Sequence, residues 1–351
     1  MAETWQQILE RSITTPEELA SCFSKDRNEM QSVMARYPAA INPYYIGLIQ
    51  TGGDAVLRQV VPDIREIRDE RGLDDPLNEE GLSPIPGLTQ KYPDRVLLLV
   101  SSRCAVYCRF CNRKRKVGNP STVTDENIRE GLAYIRANKE IRDVLLSGGD
   151  PLLLDDGTLH HILSRLRAVS HVEIIRIGTR IPCVLPQRIT PELADMLKGF
   201  HPLYVNTHFN HPAEVTSEAA LACARLADAG IPVSCQTVLL KDINDSPGVM
   251  KDLMRKLLTI RVRPYYLFQS DLAKGTAHFW TPLEKGLEIM SEMQGYISGL
   301  AIPRFMIDIP GGGGKIPVDL GYAQGVDGCE LFLKNYRGQT YRYPMFHAID
   351  D

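Results

Sequence analysis

The sequence lacks an excess of charge of either sign. Its 40 Lys and Arg face 43 Asp and Glu over 351 residues, a formal net charge of −3, so the chain as a whole offers no field for nucleic acid or an anionic membrane. Also missing is any apolar run near the roughly 20 residues that cross a bilayer. The opening stretch, MAETWQQILERSITTPEELA, is polar and amphipathic and carries no signal-peptide core. Low-complexity tracts and solenoid repeats are absent. A disulfide framework is not indicated either: of eight cysteines, three cluster and five (Cys22, Cys183, Cys223, Cys235, Cys329) are scattered and expected to be packing residues, which fits a reducing compartment. A cytoplasmic protein that binds neither membrane nor nucleic acid is expected. Length and a hydrophobic content of 44% suffice for one large α/β domain with a smaller appendage.

Up to about Gly87 the chain carries helical signals, including Thr15 ahead of PEEL with Glu18 three residues on, a capping pattern. The stretch NEEGLSPIPGLTQKYPDR reads as a connector. From Val96 short apolar runs alternate with helical patterns, the mark of repeated βα units around a parallel sheet or barrel. Strands are expected at 96–100, 143–146, 172–177, 203–206, 232–238 and 264–268. Helices are expected at 125–138, 159–169, 191–198, 217–229, 247–260 and 283–299. Six repeats are too few for a closed eight-fold barrel and predict a partial (β/α)6 barrel, with the site at the strands' carboxyl ends by analogy with closed barrels. The expected organisation is a helical N-terminal segment (1–90), the barrel (91–300), and a unit of glycine-rich loop and short irregular, β-rich tail (301–351).

Cys104, Cys108 and Cys111 stand at Cys-x3-Cys-x2-Cys spacing in SSRCAVYCRFCNRKRKVG. Incidental core cysteines seldom bunch this way on a basic loop. Three ligands do not close a structural zinc site, and no fourth Cys or His lies at finger or ribbon spacing. A cubane cluster held by three thiolates keeps one iron open, which points to chemistry rather than electron storage. Ser147, Gly148, Gly149 and Asp150 follow the second strand, where a glycine pair is usually a turn but also lets backbone approach a ligand. His208 and Gln236 fall at strand ends; alone, each reads as a hydrogen-bonded core group. In IPGGGGKIP, Lys315 follows four glycines. It is no Walker A loop, since Ile309 stands at the first glycine and Ile316 follows the lysine. Glycines that let backbone close on a planar cofactor, beside an amine able to form an imine, suggest pyridoxal phosphate (PLP).

The cysteine spacing is the signature of the radical S-adenosylmethionine (SAM) enzymes. With the Lys315 loop, and with YPDRVLLLV, CRFCNRKR, DVLLSGGDPLL, RIGTRIPCVLPQRITPEL, NTHFNHP, VRPYY and PGGGGKIPV, the chain resembles the lysine 2,3-aminomutase family from about Thr15 to Pro317. That resemblance implies a 4Fe-4S cluster on the three cysteines and SAM contacts from Ser147 to Asp150, His208 and Gln236. It implies PLP on Lys315 with Tyr92 and with Arg95 at its phosphate. Arg113 would hold the amino acid's carboxylate, while Asp271 and Asp308 would grip lysine's distal ammonium, as a buried cation needs paired anions. The run Arg113 to Lys116 could otherwise be a solvated or nucleic-acid-binding patch. The implied reaction is L-lysine to L-β-lysine, begun by a 5′-deoxyadenosyl radical and fed by an electron donor of flavodoxin or ferredoxin type, in a homo-oligomer. Rivals are glutamate or arginine as substrate, β-lysine made for elongation factor P, a radical SAM protein without PLP, and a non-catalytic iron-sulfur protein. The C-terminal cysteine cluster that binds zinc in some members is missing, so no zinc is expected.

Overall fold

The computed structural model describes residues 3–328 and 330–344. Cys183, Cys223 and Cys235 are buried as packing residues, whereas Cys22 is exposed on the helical N-terminal segment; the packing role expected of Cys329, and the end of the 301–351 unit, lie outside the described residues. The chain opens with helices α1 (Trp5–Glu10), α2 (Pro16–Phe23), α3 (Arg27–Arg36) and α4 (Pro43–Gly52), then two short turns, α5 (Asp54–Leu57) and α6 (Arg65–Arg68). Each of the first four begins at a side chain that accepts a backbone N–H three residues on: Thr4, Thr15, Asp26 and Asn42. Thr15 and Glu18 form the reciprocal box that the sequence predicts.

Nine strands then make one sheet in chain order: β1 (Leu88–Tyr92), β2 (Arg95–Ser101), β3 (Asp143–Gly148), β4 (Ile174–Gly178), β5 (Leu203–His208), β6 (Val233–Leu239), β7 (Arg263–Gln269), β8 (Arg304–Ile309) and β9 (Gly314–Pro317). Strands β2 to β8 pair in parallel, and β1 and β9 flank them antiparallel. Helices α7 (Asp125–Ala137), α8 (Asp156–Arg167), the one-turn α9 (Ile181–Val184), α10 (Pro191–Lys198), α11 (Ser217–Asp228), α12 (Pro247–Thr259) and α13 (Leu283–Met293) fill the crossovers. The six expected βα units are present, from β2 through α13. Thr124, Asp155, Thr190, Thr216 and Ser246 cap the helices after five of the strands.

The two faces of the sheet differ by the strand period of two. Val144, Leu146, Ile175, Ile177, Val205 and Val233 are buried, and removal of each from water contributes about 1.5–3 kcal/mol. The alternate positions carry Asp143, Ser147, Arg176, Asn206, His208 and Gln236, joined in places across strands: Arg176 to Asp143 at 2.8 Å, and Tyr265 to Asn206 and Gln236 at 3.2 and 3.1 Å. The polar face runs along the strands and reaches their carboxyl ends at Ser147 and His208, where a site belongs.

Three strands were not expected. In β1 only Leu88 is fully buried, so LTQKY gives no apolar signal. The run RFMIDI of β8 is interrupted by buried Asp308, and β9 is the short GKIP around Lys315. Helix α13 ends at Met293 rather than at Gly299, since Gly295 takes φ +80° two residues on. β4 starts at Ile174, not Val172. The tail is β-rich as expected, but regular rather than irregular: β10 (Ala323–Asp327), β11 (Glu330–Lys334) and β12 (Thr340–Pro344) form a three-stranded antiparallel sheet. Among the described residues no ladder joins β1 to β9. Two hydrogen bonds cross the gap: Lys91 Nζ donates to Asp308 at 2.8 Å, and the Lys315 main-chain N–H donates to Tyr92 Oη at 2.9 Å. No described helix is long and apolar enough to cross a membrane.

Candidate active site

The loop after β2 carries the three cysteines, and the N-terminal segment clasps it. Tyr107 N–H donates to Ala40 O at 3.1 Å, Arg109 N–H to Gln59 O at 2.8 Å, and Asn42 Nδ2 to Ala105 O at 3.2 Å. Arg109 itself is buried and forks onto Glu66, which also takes the Lys114 ammonium at 2.6 Å. From the other side SGGD docks on the same loop, with Gly149 N–H to Ser101 O at 2.5 Å and Asp150 N–H to Arg103 O at 2.7 Å. A Cβ at Gly148 would collide with Ser101 O and one at Gly149 with Arg103 O, so this approach admits only glycine.

All three thiols are free and partly covered. Burial, with neighbouring thiols adding to it, pushes Cys111 up to about 11 and Cys104 well above its ordinary value. Thiolates in such a place call for a cationic centre. Among the described residues no three Cys, His, Asp or Glu side chains are gathered tightly enough for a single metal ion. A cubane binds each thiolate at a different iron, so its ligands stand apart by the width of the cluster, and the donor set fits such a cluster. Arg180 Nη1 lies 2.8 Å from Cys108 Sγ.

Three consecutive residues connect this loop to the rest of the site. Cys111 is followed by Asn112, which donates to Asp271 at 2.7 Å, and by Arg113, whose fork grips Glu79 at 2.8 and 2.6 Å while Nη1 reaches Ser147 at 3.2 Å. Although burial alone would raise Glu79, the Arg113 charge and hydrogen bonds hold it down at about 2. Asp271 is pushed up to about 6 by burial and by the charge of Asp308. Asp308, buried at the end of β8, accepts from both Lys91 and Lys315 at 2.8 Å. At Gly314, φ +89°, the chain turns tightly against Tyr92, whose oxygen a Cβ would approach to 3.2 Å. The Arg95 guanidinium lies 4.5 Å from the centre of the Tyr92 ring. Tyr92 links the Lys315 backbone on one side to Arg95 on the other, and the chemistry of an amine, a phenol and an arginine fits an aldehyde that bears a phosphate.

His208 packs on Phe110 with ring centres 5.4 Å apart and shares a hydrogen bond with Asn210 at 2.9 Å. Burial lowers it to about 4, so the ring is neutral at ordinary pH. Asp150 is spent on its own chain: its carboxylate accepts from Thr179 at 2.7 Å and from the Arg180 N–H at 2.8 Å, and burial raises it to about 6. Gln236 lies in the middle of β6 rather than at its end and faces Tyr265, and among the described residues no hydrogen bond ties it to the cysteine loop. The basic run is no free patch, since Arg113 pairs with Glu79, Lys114 with Glu66, Arg115 with Asp75 and Glu80, and Lys116 lies near Glu79 and Glu80. Glu79, Lys91, Asn112 and Arg180 carried no signal that sequence reasoning could use, because each is placed by a partner distant in the chain.

Comparison with known proteins decides the family. An L-lysine 2,3-aminomutase of Clostridium subterminale is 47% identical over 350 residues, covering 97% of this chain and 84% of that protein. The chain belongs to the lysine 2,3-aminomutase family. The profile of the radical SAM superfamily matches residues 98–253 and that named Lysine-2,3-aminomutase matches 290–348. An L-lysine 2,3-aminomutase of Methanococcus maripaludis is 49% identical and covers 90% of this chain and 74% of its own length. A glutamate 2,3-aminomutase of Clostridioides difficile is 42% identical, covering 96% and 81%. Family members are isomerases, and the superfamily brings a 4Fe-4S cluster and SAM with it. Because relatives of both names match over nearly the whole chain, the substrate must be argued from the site.

Proposed function

We propose that this chain is a radical SAM, PLP-dependent 2,3-aminomutase that interconverts L-lysine and L-β-lysine. The observation that carries the choice of lysine is the acid pair. Asp271 and Asp308 lie close enough for one charge to raise the other's pKa, and Asp308 already seats two ammonium groups of the chain. A glutamate side chain brought to two carboxylates would be repelled, whereas a distal ammonium is held.

When bound, the cluster would supply one electron, SAM the deoxyadenosyl group that takes a substrate hydrogen, and PLP the aldehyde that carries the migrating nitrogen. The chain's own residues do the placing. Cys104, Cys108 and Cys111 hold the cluster, and Ser147, Gly148, Gly149, His208 and Gln236 line the SAM side, with Asp150 fixing the loop. The Lys315 amine would hold PLP at its aldehyde, Tyr92 orients the Lys315 backbone, and Arg95 would neutralise the phosphate. Arg113, held rigid by Glu79, offers Nη1 to the substrate carboxylate while Asp271 and Asp308 take the far end. A substrate pinned at both ends presents one carbon to the radical, which limits damage to its surroundings. The reading requires a low-potential one-electron carrier of flavodoxin or ferredoxin type, and it places the enzyme in the cytoplasm as a homo-oligomer.

The test is an anaerobic assay of reconstituted protein with dithionite, SAM and PLP, offering lysine, glutamate and arginine separately and identifying products by NMR. β-Lysine from lysine alone is expected; turnover of glutamate in its place would overturn the assignment of the acid pair.

A further inference from the structure

Behind the cysteine loop lies a buried polar group that the reaction does not use. Arg180 follows β4 and is 7% exposed. Its Nη2 donates to Gln59 at 2.5 Å and to Glu214 at 2.7 Å, its main-chain N–H to Asp150 at 2.8 Å, and its Nη1 to Cys108 Sγ at 2.8 Å. Glu214 in turn accepts from Tyr45 Oη at 2.8 Å and from the N–H groups of Asn210 and His211 at 2.6 and 2.9 Å. Tyr45, Gln59, Asn210 and Glu214 are fully buried. The guanidinium also lies 5.2 Å from the centre of the Phe110 ring, inside the cysteine loop.

Such a fixture is costly unless every charge is met, because a buried ion loses its hydration. Glu214 meets one half of the fork. The other half points at sulfur, and a free thiol is a poor acceptor for a cation. A metal-bound thiolate is a good one. We propose that Arg180 is a positioning residue that fixes Cys108 and raises the reduction potential of the cluster, so that a biological one-electron reductant can reduce it.

The physical argument is one of charge. Reduction adds a negative charge to a cluster already surrounded by thiolates, and a fixed cation hydrogen-bonded to one sulfur favours the reduced state. Low local dielectric strengthens that effect, and the pairs to Gln59 and Glu214 hold the cation still. Arg180 neither gives nor takes the electron, which an external one-electron carrier supplies, and no bond at Arg180 forms or breaks. The inference rests on the reading that Cys108 is a cluster ligand, and it adds what sets that cluster's redox behaviour.

The experiment uses anaerobically reconstituted holoprotein without SAM, with iron counted per chain and the midpoint potential read by an EPR-monitored titration. Arg180→Met paired with Glu214→Gln removes both buried charges together, and Arg180→Lys keeps Glu214 matched while withdrawing the donor from sulfur. Both are expected to retain iron and to reduce at more negative potential than the parent, the double variant by more. An unchanged potential in iron-loaded variants overturns the proposal. If the double variant does not hold iron, Arg180→Lys decides on its own, by a lowered or an unchanged potential. A parent protein that assembles no cluster would overturn the cysteine assignment itself, and this proposal with it.

Discussion

Asp308 and Lys315 stand opposite each other in the β8 and β9 ladder, and their side chains pair at 2.8 Å. The acid proposed for the substrate's ammonium therefore also holds the amine proposed for the cofactor, and mutation should separate the two roles. Lys315→Ala is expected to abolish turnover and the visible absorbance of a PLP–lysine bond while leaving iron content unchanged. Asp308→Asn should still take label at Lys315 when PLP is fixed with borohydride, yet show a raised KM for lysine. Normal turnover by Lys315→Ala would remove PLP chemistry from that residue.

Asp271 sets a pH dependence. Its ordinary value of 3.8 is raised to about 6 in the folded chain, by burial and then by Asp308, so it is charged only above about 6. For lysine, kcat/KM should fall as pH drops through that value, and Asp271→Asn should lose this limb and raise KM by about 10- to 100-fold, the worth of one charged hydrogen bond. For folding the sign is opposite. The folded carboxyl binds a proton more tightly than the unfolded one, so its contribution to stability is present at low pH and is lost as pH rises from 3.8 toward 6. At pH 8 the Asn variant should show the higher urea midpoint.

Glu79 orients Arg113 through three hydrogen bonds at 2.8, 3.0 and 2.6 Å. Glu79→Ala frees the fork to swing, so the expected result is a raised KM for amino acid with a smaller change in kcat. Equal losses in SAM cleavage without amino acid would show that Glu79 serves the cluster side instead.

Glu66 is fully buried between Arg109 and Lys114. Glu66→Ala leaves two buried cations without a counterion and should cost about 3–5 kcal/mol by chemical denaturation. The same variant should lose iron on gel filtration, because both cations belong to the cysteine loop.

What the sequence discloses follows how each feature is encoded. Strands β2 to β7 are legible because each is an apolar run ending in a turn, as Val96 to Val100 and Val233 to Leu239 are. β8 escaped because buried Asp308 breaks its pattern, although that aspartate was itself singled out from the motif around it. Site residues in local motifs, such as the cysteines and Lys315, were visible. Partners across long separations were not: nothing near Glu214 announces that it faces Arg180, 34 positions away, and nothing near Lys91 announces Asp308, 217 positions away. Pairing of that kind is written by the fold.

The open seam between β1 and β9 has a consequence for handling the protein. Lys91 to Asp308 and Lys315 to Tyr92 cross it, and three of those four residues are assigned to hold a small molecule or its carrier. Guests that occupy the interior would then act as the fasteners of the wall around them. Amide hydrogens along both edges should exchange more slowly once the interior is filled, and purification without PLP should yield a chain whose weakest line runs lengthwise down this one side.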